Sequence, residues 1–308
     1  MQNKIEELEI LLQKTAENYQ GKPIALSGGI DSGILAALIK PKFAISVELP
    51  GDGKYNEIEY AKQVVAHLGL KHVIVKSDDD KWDEYMPQAV IAIGRPIPHF
   101  NIFPLFEMYK KLNEMGEKEL VLGDGPDEVM CGYARDLIIN YLYKIYDFEA
   151  FKNYKPLIDK LLPKSGEAIT LTTGKEPKEG QTITDIDIEL MRPDMDDMSN
   201  AIAKYFGIKN LRPYQDNQEI DDFMRDLPEE MKIKDVEFGK YALRVIAEKY
   251  LPKEIAWRKT KIGGPVYPVN IKRNWMKNGE FDKTEYLKYQ EKILYGYSQN
   301  TISNNPNL

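Results

Sequence analysis

The chain has 308 residues, 43% of them hydrophobic and 30% charged, a formal net charge of −7 and a single cysteine. No run approaches the roughly 18 apolar residues that a membrane helix needs, and the acidic balance without a basic stripe excludes the phosphate-neutralising surface of a nucleic-acid binder. One cysteine, Cys131, excludes an internal disulfide and any Cys-x-x-Cys metal or redox pair, and the length accommodates one or two domains.

The first predicted element is an amphipathic helix over residues 1–20, with Ile5, Leu8, Leu11 and Leu12 on one face. It lacks the basic start and small-residue cleavage site of a secretory signal, so the cytoplasm is the expected compartment. From Lys22, short apolar runs alternate with helical patterns: "PIALS", a helix from Asp31, "KFAISVEL", a helix from Asn56 to Leu68, "KHVIVKS", a helix from Pro104 to Met115, and "KELVLG". This alternation predicts βαβ units, hence an α/β core over residues 21–148 with a parallel sheet flanked by helices.

Beyond Phe148 the strand signals fade. The polar stretch "TLTTGKEPKEGQTITDID" predicts an exposed, mobile loop. Helical patterns return over Ile186 to Phe206, Val236 to Tyr250 and Tyr286 to Leu294, so residues 149–297 are expected to form a mostly helical C-terminal part of the same domain. Residues 298–308 carry too little apolar surface to offset the entropy of ordering and are expected to be disordered.

One junction concentrates chemistry. The first strand ends in Ser27-Gly28-Gly29-Ile30-Asp31-Ser32 and runs straight into a helix. Backbone N–H groups, serine hydroxyls and a helix N-terminus then surround one point, which suits a phosphate, and glycine lets the backbone turn and approach the ligand closely. Asp31 would repel phosphate unless a divalent cation lay between them, so the arrangement implies Mg²⁺ with a nucleotide. It is neither a Walker loop nor the dinucleotide G-x-G-x-x-G.

The stretch resembles the pyrophosphate loop (PP-loop), Ser-Gly-Gly-x-Asp-Ser, of enzymes that split ATP between its α and β phosphates. Among them, "LVLGDGPDEVMCGY" from Leu120 to Tyr133 resembles the asparagine synthetase signature, a buried strand delivering Gly-Glu-Gly-x-Asp-Glu to a helix. "GIKNLRPYQD" and "GKYALRVIAEKYLPKEIAWRKTKIGG" are similar to that family's later elements, and motif order is preserved from about Lys22 to Pro268. The chain thus resembles the synthetase domain of the asparagine synthetase family.

That resemblance implies an ATP pyrophosphatase fold, ATP and Mg²⁺, and activation of a small carboxylic acid as an acyl-adenylate that ammonia or an amine then attacks. By the same resemblance, Ser27, Gly28, Gly29 and Ser32 would hold the pyrophosphate, Asp31 with Asp127 the metal, and backbone around Val47 and Gly123 the adenosine. An acid on the fourth strand's loop can face the first loop because ligands in open parallel sheets collect at the strands' carboxyl ends. Asp127 is also placed to cap the following helix, and Glu128 to start it.

Asp124 stands at the family's catalytic glutamate, one methylene shorter. A lysine of the basic loop should approach the α-phosphate, with Lys259 and Lys261 as candidates; Lys261 precedes the Gly-Gly turn. Lys240 and Arg244 share a helix face and reach either the phosphates or structural partners. Cys131 reads as a small core residue, and His99 as a packed loop residue near the substrate pocket.

The departures fall where the acid would be read. Lys209 replaces the acid of the family's Gly-Φ-Glu-x-Arg element, its arginine is displaced or lost, and of the upstream pair only Asn200 stands near the expected place. Residue 2 is Gln2 and about 20 residues precede the loop, so no glutaminase is expected within the chain and nitrogen would come as ammonia or from a separate glutaminase. Intramolecular amide formation of the β-lactam-synthetase or peptide-cyclising kind, and a non-catalytic nucleotide-binding subunit, are the alternatives; a homodimer is compatible with each.

Overall fold

The computed structural model describes residues 2–49, 57–97, 101–133, 136–137, 183–259, 275–277 and 280–304. The first elements are helix α1 (Gln2–Ala16), β1 (Ile24–Ala25), α2 (Ile30–Ile39), β2 (Ala44–Glu48), α3 (Ile58–Leu68) and β3 (His72–Lys76). There follow α4 (Trp82–Ile93), α5 (Ile102–Glu114), β4 (Glu119–Val121), the single turn α6 (Pro126–Val129) and, from the C-terminal part, β5 (Lys209–Leu211).

These strands form one parallel sheet in the order β3-β2-β1-β4-β5. A parallel sheet must be covered on both faces, and alternate residues of each strand enter opposite clusters. Ile24, Ala44 and Val121 pack with α1, α2 and α3, whereas Ile45, Leu120 and Leu122 pack with α4, α5 and the helix Arg192–Tyr205. The α/β architecture with a parallel sheet flanked by helices is therefore present as expected. Ile5, Leu8 and Leu12 of α1 are buried, with Leu11 packed beside them.

Four features differ from the sequence reading. The fifth strand comes from the C-terminal part, where no strand was expected: Lys209-Asn210-Leu211 is a short edge strand with one buried apolar side chain, too little for a pattern. Helix α4 was not anticipated because Pro87, which breaks most helical patterns, lies inside it. The stretch from Val236 begins as an antiparallel hairpin of β6 (Ile233–Asp235) and β7 (Phe238–Gly239), and its helix is confined to Tyr241–Ala247.

At the C-terminus the helix Lys283–Asn304 continues past residue 298, where disorder was expected. Extending a formed helix adds a hydrogen bond for each residue fixed, without a new nucleus, and the Ser298 hydroxyl donates to the Leu294 carbonyl. Of the polar stretch expected to be a mobile loop, residues 170–182 lie outside the described residues, while Ile183–Ile186 is helical. Among the described residues no helix is long and apolar enough to cross a membrane.

Candidate active site

The strand order reverses between β1 and β4, since the chain leaves β1 towards β2 on one side and later returns to β4 on the other. Loops at the carboxyl ends of two such strands diverge and leave a crevice. Here it is a cavity of about 460 Å³ lined by Ser27, Gly29, Asp31 and Ser32 from one loop and Gly123, Asp124 and Asp127 from the other. Val47, near the end of β2, forms part of the wall.

Close approach dictates the glycines. Gly28 has φ of 78°, and a Cβ there would lie 2.5 Å from the Ala61 nitrogen and 2.7 Å from the Tyr60 Cβ, so α3 seats directly on the loop. A Cβ on Gly123 would lie 2.8 Å from the Ser32 nitrogen, so the β4 loop abuts the start of α2. The Gly29 amide donates to Ser27 Oγ and the Ser27 amide to Ser32 Oγ, each at 3.3 Å. Asp31 lies in the first turn of α2, with Gly29 as N-cap.

Asp31 and Asp127 do meet. Lys240 Nζ lies 2.5 Å from Asp31 Oδ2 and 2.6 Å from Asp127 Oδ1, and its side chain is buried. Burial alone would lower the pKa of this ammonium, but Asp127 and then Asp31 outweigh it and hold it above its ordinary value. Lys240 adopts a left-handed backbone, φ 56°, and its amide donates to the Met130 carbonyl, which ties β7 to the turn after α6. Gly125, not Asp127, is the N-cap of α6, so Asp127 is not a capping residue.

Behind Asp124 lies a group missed by sequence reasoning. Arg212, just past β5 and buried, directs Nε to Asp124 and Asp196 at 3.2 Å each, one terminal nitrogen to Asn200 at 2.8 Å and the other to Ser199 at 2.7 Å. The arginine expected to be displaced or lost is thus present at the site and held by four side chains; the parallel alignment of β5 with β4 brings it beside Asp124. Desolvation by the surrounding groups raises the Asp124 carboxyl pKa against the pull of Arg212, although the side chain stays half exposed. Burial likewise raises Asp196, to about 6, with Arg212 opposing.

A carboxyl raised on folding stabilises the native state fully below its unfolded value, and that contribution fades as pH climbs through the folded value. Between about pH 4 and pH 6 Asp196 should therefore subtract stability as pH rises. Urea midpoints across this window are expected to change with pH less favourably in the wild-type protein than in Asp196→Asn. Parallel profiles would refute the assignment.

The remaining candidates separate. Lys259 lines the cavity mouth, largely exposed, with Nζ 2.5 Å from Glu237. Lys261 and His99 lie outside the described residues. Arg244 is buried, its pKa pushed down to about 10 by that burial, and donates to the carbonyls of Gly239, Ala256 and Arg258. Tyr133 donates to Glu128 at 2.5 Å, and burial raises the Glu128 carboxyl. Cys131 is buried.

The asparagine synthase family model matches residues 23–286, from the strand before the glycine loop to the C-terminal helix. The chain belongs to the asparagine synthase family. Its similarity to asparagine synthetase B [glutamine-hydrolyzing] of Escherichia coli is 25% identity over 264 residues, covering 76% of this chain and 39% of that protein. A putative glutamine-hydrolyzing asparagine synthetase of Methanocaldococcus jannaschii is 26% identical over 118 residues, 36% of this chain and 21% of the relative. An NH(3)-dependent NAD(+) synthetase of Carboxydothermus hydrogenoformans is 36% identical over 73 residues, 22% of this chain and 30% of the relative. The chain therefore spans less than half the length of each of these relatives.

The residues that would hold a divalent cation in this asparagine synthase domain fit one chemically. Asp31 and Asp127 present carboxylate oxygens to a common point that already accommodates a cationic group. Magnesium is commonly bound by one or two carboxylates completed by water and substrate phosphates. Among the described residues no cluster of three or more His, Cys, Asp or Glu side chains forms a metal cage.

Proposed function

We propose that this protein is an ATP-dependent amide synthetase that forms AMP and pyrophosphate, activating aspartate or a related carboxylic acid for attack by ammonia or an amine. The observation that carries the reading is the convergence of Asp31 and Asp127, from two different strand-end loops, on Lys240 at the point where the strand order reverses. Ser27, Gly28, Gly29 and Ser32 hold the pyrophosphate portion, while Val47 and Gly123 contact the adenosine. Mg²⁺ held by Asp31 and Asp127 would screen the triphosphate charge.

An oxygen of the substrate carboxylate attacks the α-phosphorus. The bond from that phosphorus to the bridging oxygen breaks, and its electron pair leaves with pyrophosphate. The amine then adds to the acyl carbon, AMP departs, and a proton passes from the new nitrogen to the Asp124 carboxylate. Lys240 and the basic-loop lysine, Lys259 or Lys261, face the charge that develops on the phosphates, so catalysis rests on positioning and electrostatics. The nitrogen enters as ammonia or as the amine of an acceptor.

One observation favours a second reading, intramolecular amide formation. The Arg212 guanidinium is occupied by Asp124, Asp196, Asn200 and Ser199, so a free α-carboxylate does not find it waiting. A substrate carrying its own amine needs no such base.

Incubation with Mg-ATP and ammonium across a panel of carboxylic acids, with and without an internal amine, tests both. Acid-dependent AMP and pyrophosphate are expected. ADP and phosphate would overturn the reading, and nucleotide binding without either product would favour a nucleotide-binding subunit instead.

A further inference from the structure

Arg258 follows the short helix Lys253–Ala256 and lines the cavity on the side of the glycine loop. One terminal nitrogen donates to Glu57 at 2.7 Å, and the guanidinium carbon lies 4.2 Å from the centre of the Tyr60 ring. The other terminal nitrogen, Nη1, is buried and has no hydrogen-bond partner among the described residues. Leaving a buried charged donor unmade is costly, and a native site that does so is arranged for an acceptor that comes and goes.

The surroundings say where that acceptor sits. Glu57 and Tyr60 belong to the entry of α3, the turn whose backbone touches Gly28, so Arg258 is anchored to the element that seats the glycine loop. Arg244 fixes the backbone on either side through the carbonyls of Ala256 and Arg258. Arg258 contacts Glu57 and Tyr60, whereas Asp124 faces Arg212 on the substrate side. A guanidinium suits phosphate because its planar N–H groups match two oxygens at once.

We propose that Arg258 binds the β,γ end of ATP and holds the pyrophosphate as it leaves, its buried Nη1 donating to a phosphate oxygen while Glu57 and Tyr60 position the group. The inference rests on the ATP-cleaving reading and adds a residue to it. Because the leaving group takes the electron pair of the broken bond, a fixed cation there stabilises charge that grows along the reaction.

Calorimetric titration with inorganic pyrophosphate, with AMP and with ATP, each in the presence of Mg²⁺, tests it. Arg258→Met is expected to weaken pyrophosphate about 10- to 100-fold, the span of a charge-assisted hydrogen bond, and to change AMP affinity by less than about twofold. Arg258→Lys keeps the charge and loses the fork, and is expected to weaken pyrophosphate several-fold; it carries the test should the methionine variant fail to fold. Pyrophosphate bound equally by wild type and variants, or AMP and pyrophosphate weakened alike, would overturn the role of Arg258. A wild-type protein that binds neither ATP nor pyrophosphate would instead overturn the synthetase reading beneath it.

Discussion

Asp127→Asn is expected to lower acid-dependent AMP formation about 10³-fold, the loss seen when a fixed charge-stabilising group is removed from a polar active site. The substitution keeps the shape of the side chain and an oxygen near Lys240, so the chain should fold. It removes one of two charges that converge on one ammonium. Burial, the first influence on Lys240, then meets Asp31 without the Asp127 charge in opposition, and the site loses one of the two carboxylates that a divalent cation would bind. Initial rates of AMP release, with thermal unfolding as a control for folding, check the expectation. A folded variant retaining more than a tenth of wild-type turnover would show that the aspartate pair is structural.

How much of this was legible in the sequence depended on how local the determinants are. The glycine loop was readable because strand end, turn and helix start lie in one stretch, and its glycines answer to contacts that any such turn makes. Asp127 was readable because a second strand end delivers it to the same edge of the sheet. Arg212 was not: its partners Asp124, Asp196, Ser199 and Asn200 sit on the β4 loop and on another helix, and only the pairing of β5 with β4 brings them together. The chain offers three residues for that strand, one of them an exposed lysine, so neither period nor composition announces it. Arg258 was hidden for a related reason, since Glu57 and Tyr60 are about two hundred residues earlier in the chain.

Gly132→Ala is expected to cut turnover at least about 10²-fold, the cost of displacing reacting groups by an ångström, although no charge is touched. Gly132 carries no left-handed strain; the constraint is space. An added Cβ would lie 1.9 Å from Asp127 Oδ1, 2.3 Å from Lys240 Cε and 2.7 Å from the Asp127 Cα. The backbone cannot retreat easily, because the Gly132 amide donates to the Asp127 carbonyl at 2.9 Å and the Lys240 amide to Met130 at 2.9 Å. The methyl group is therefore relieved by turning Asp127 or Lys240 out of place, which breaks the bridge to Asp31; overpacking of this kind also costs about 1–3 kcal/mol of stability. Gly296→Ala is the matched control: nothing lies within 4 Å of a Cβ there, and the residue is in the C-terminal helix, so it should be neutral or stabilising by up to about 1 kcal/mol. Urea midpoints and AMP release for the two variants separate the effects. If Gly132→Ala turns over like the wild type, the contact of Asp127 with Lys240 is not what sets the rate, and the electrostatic account of the site has to move to other groups.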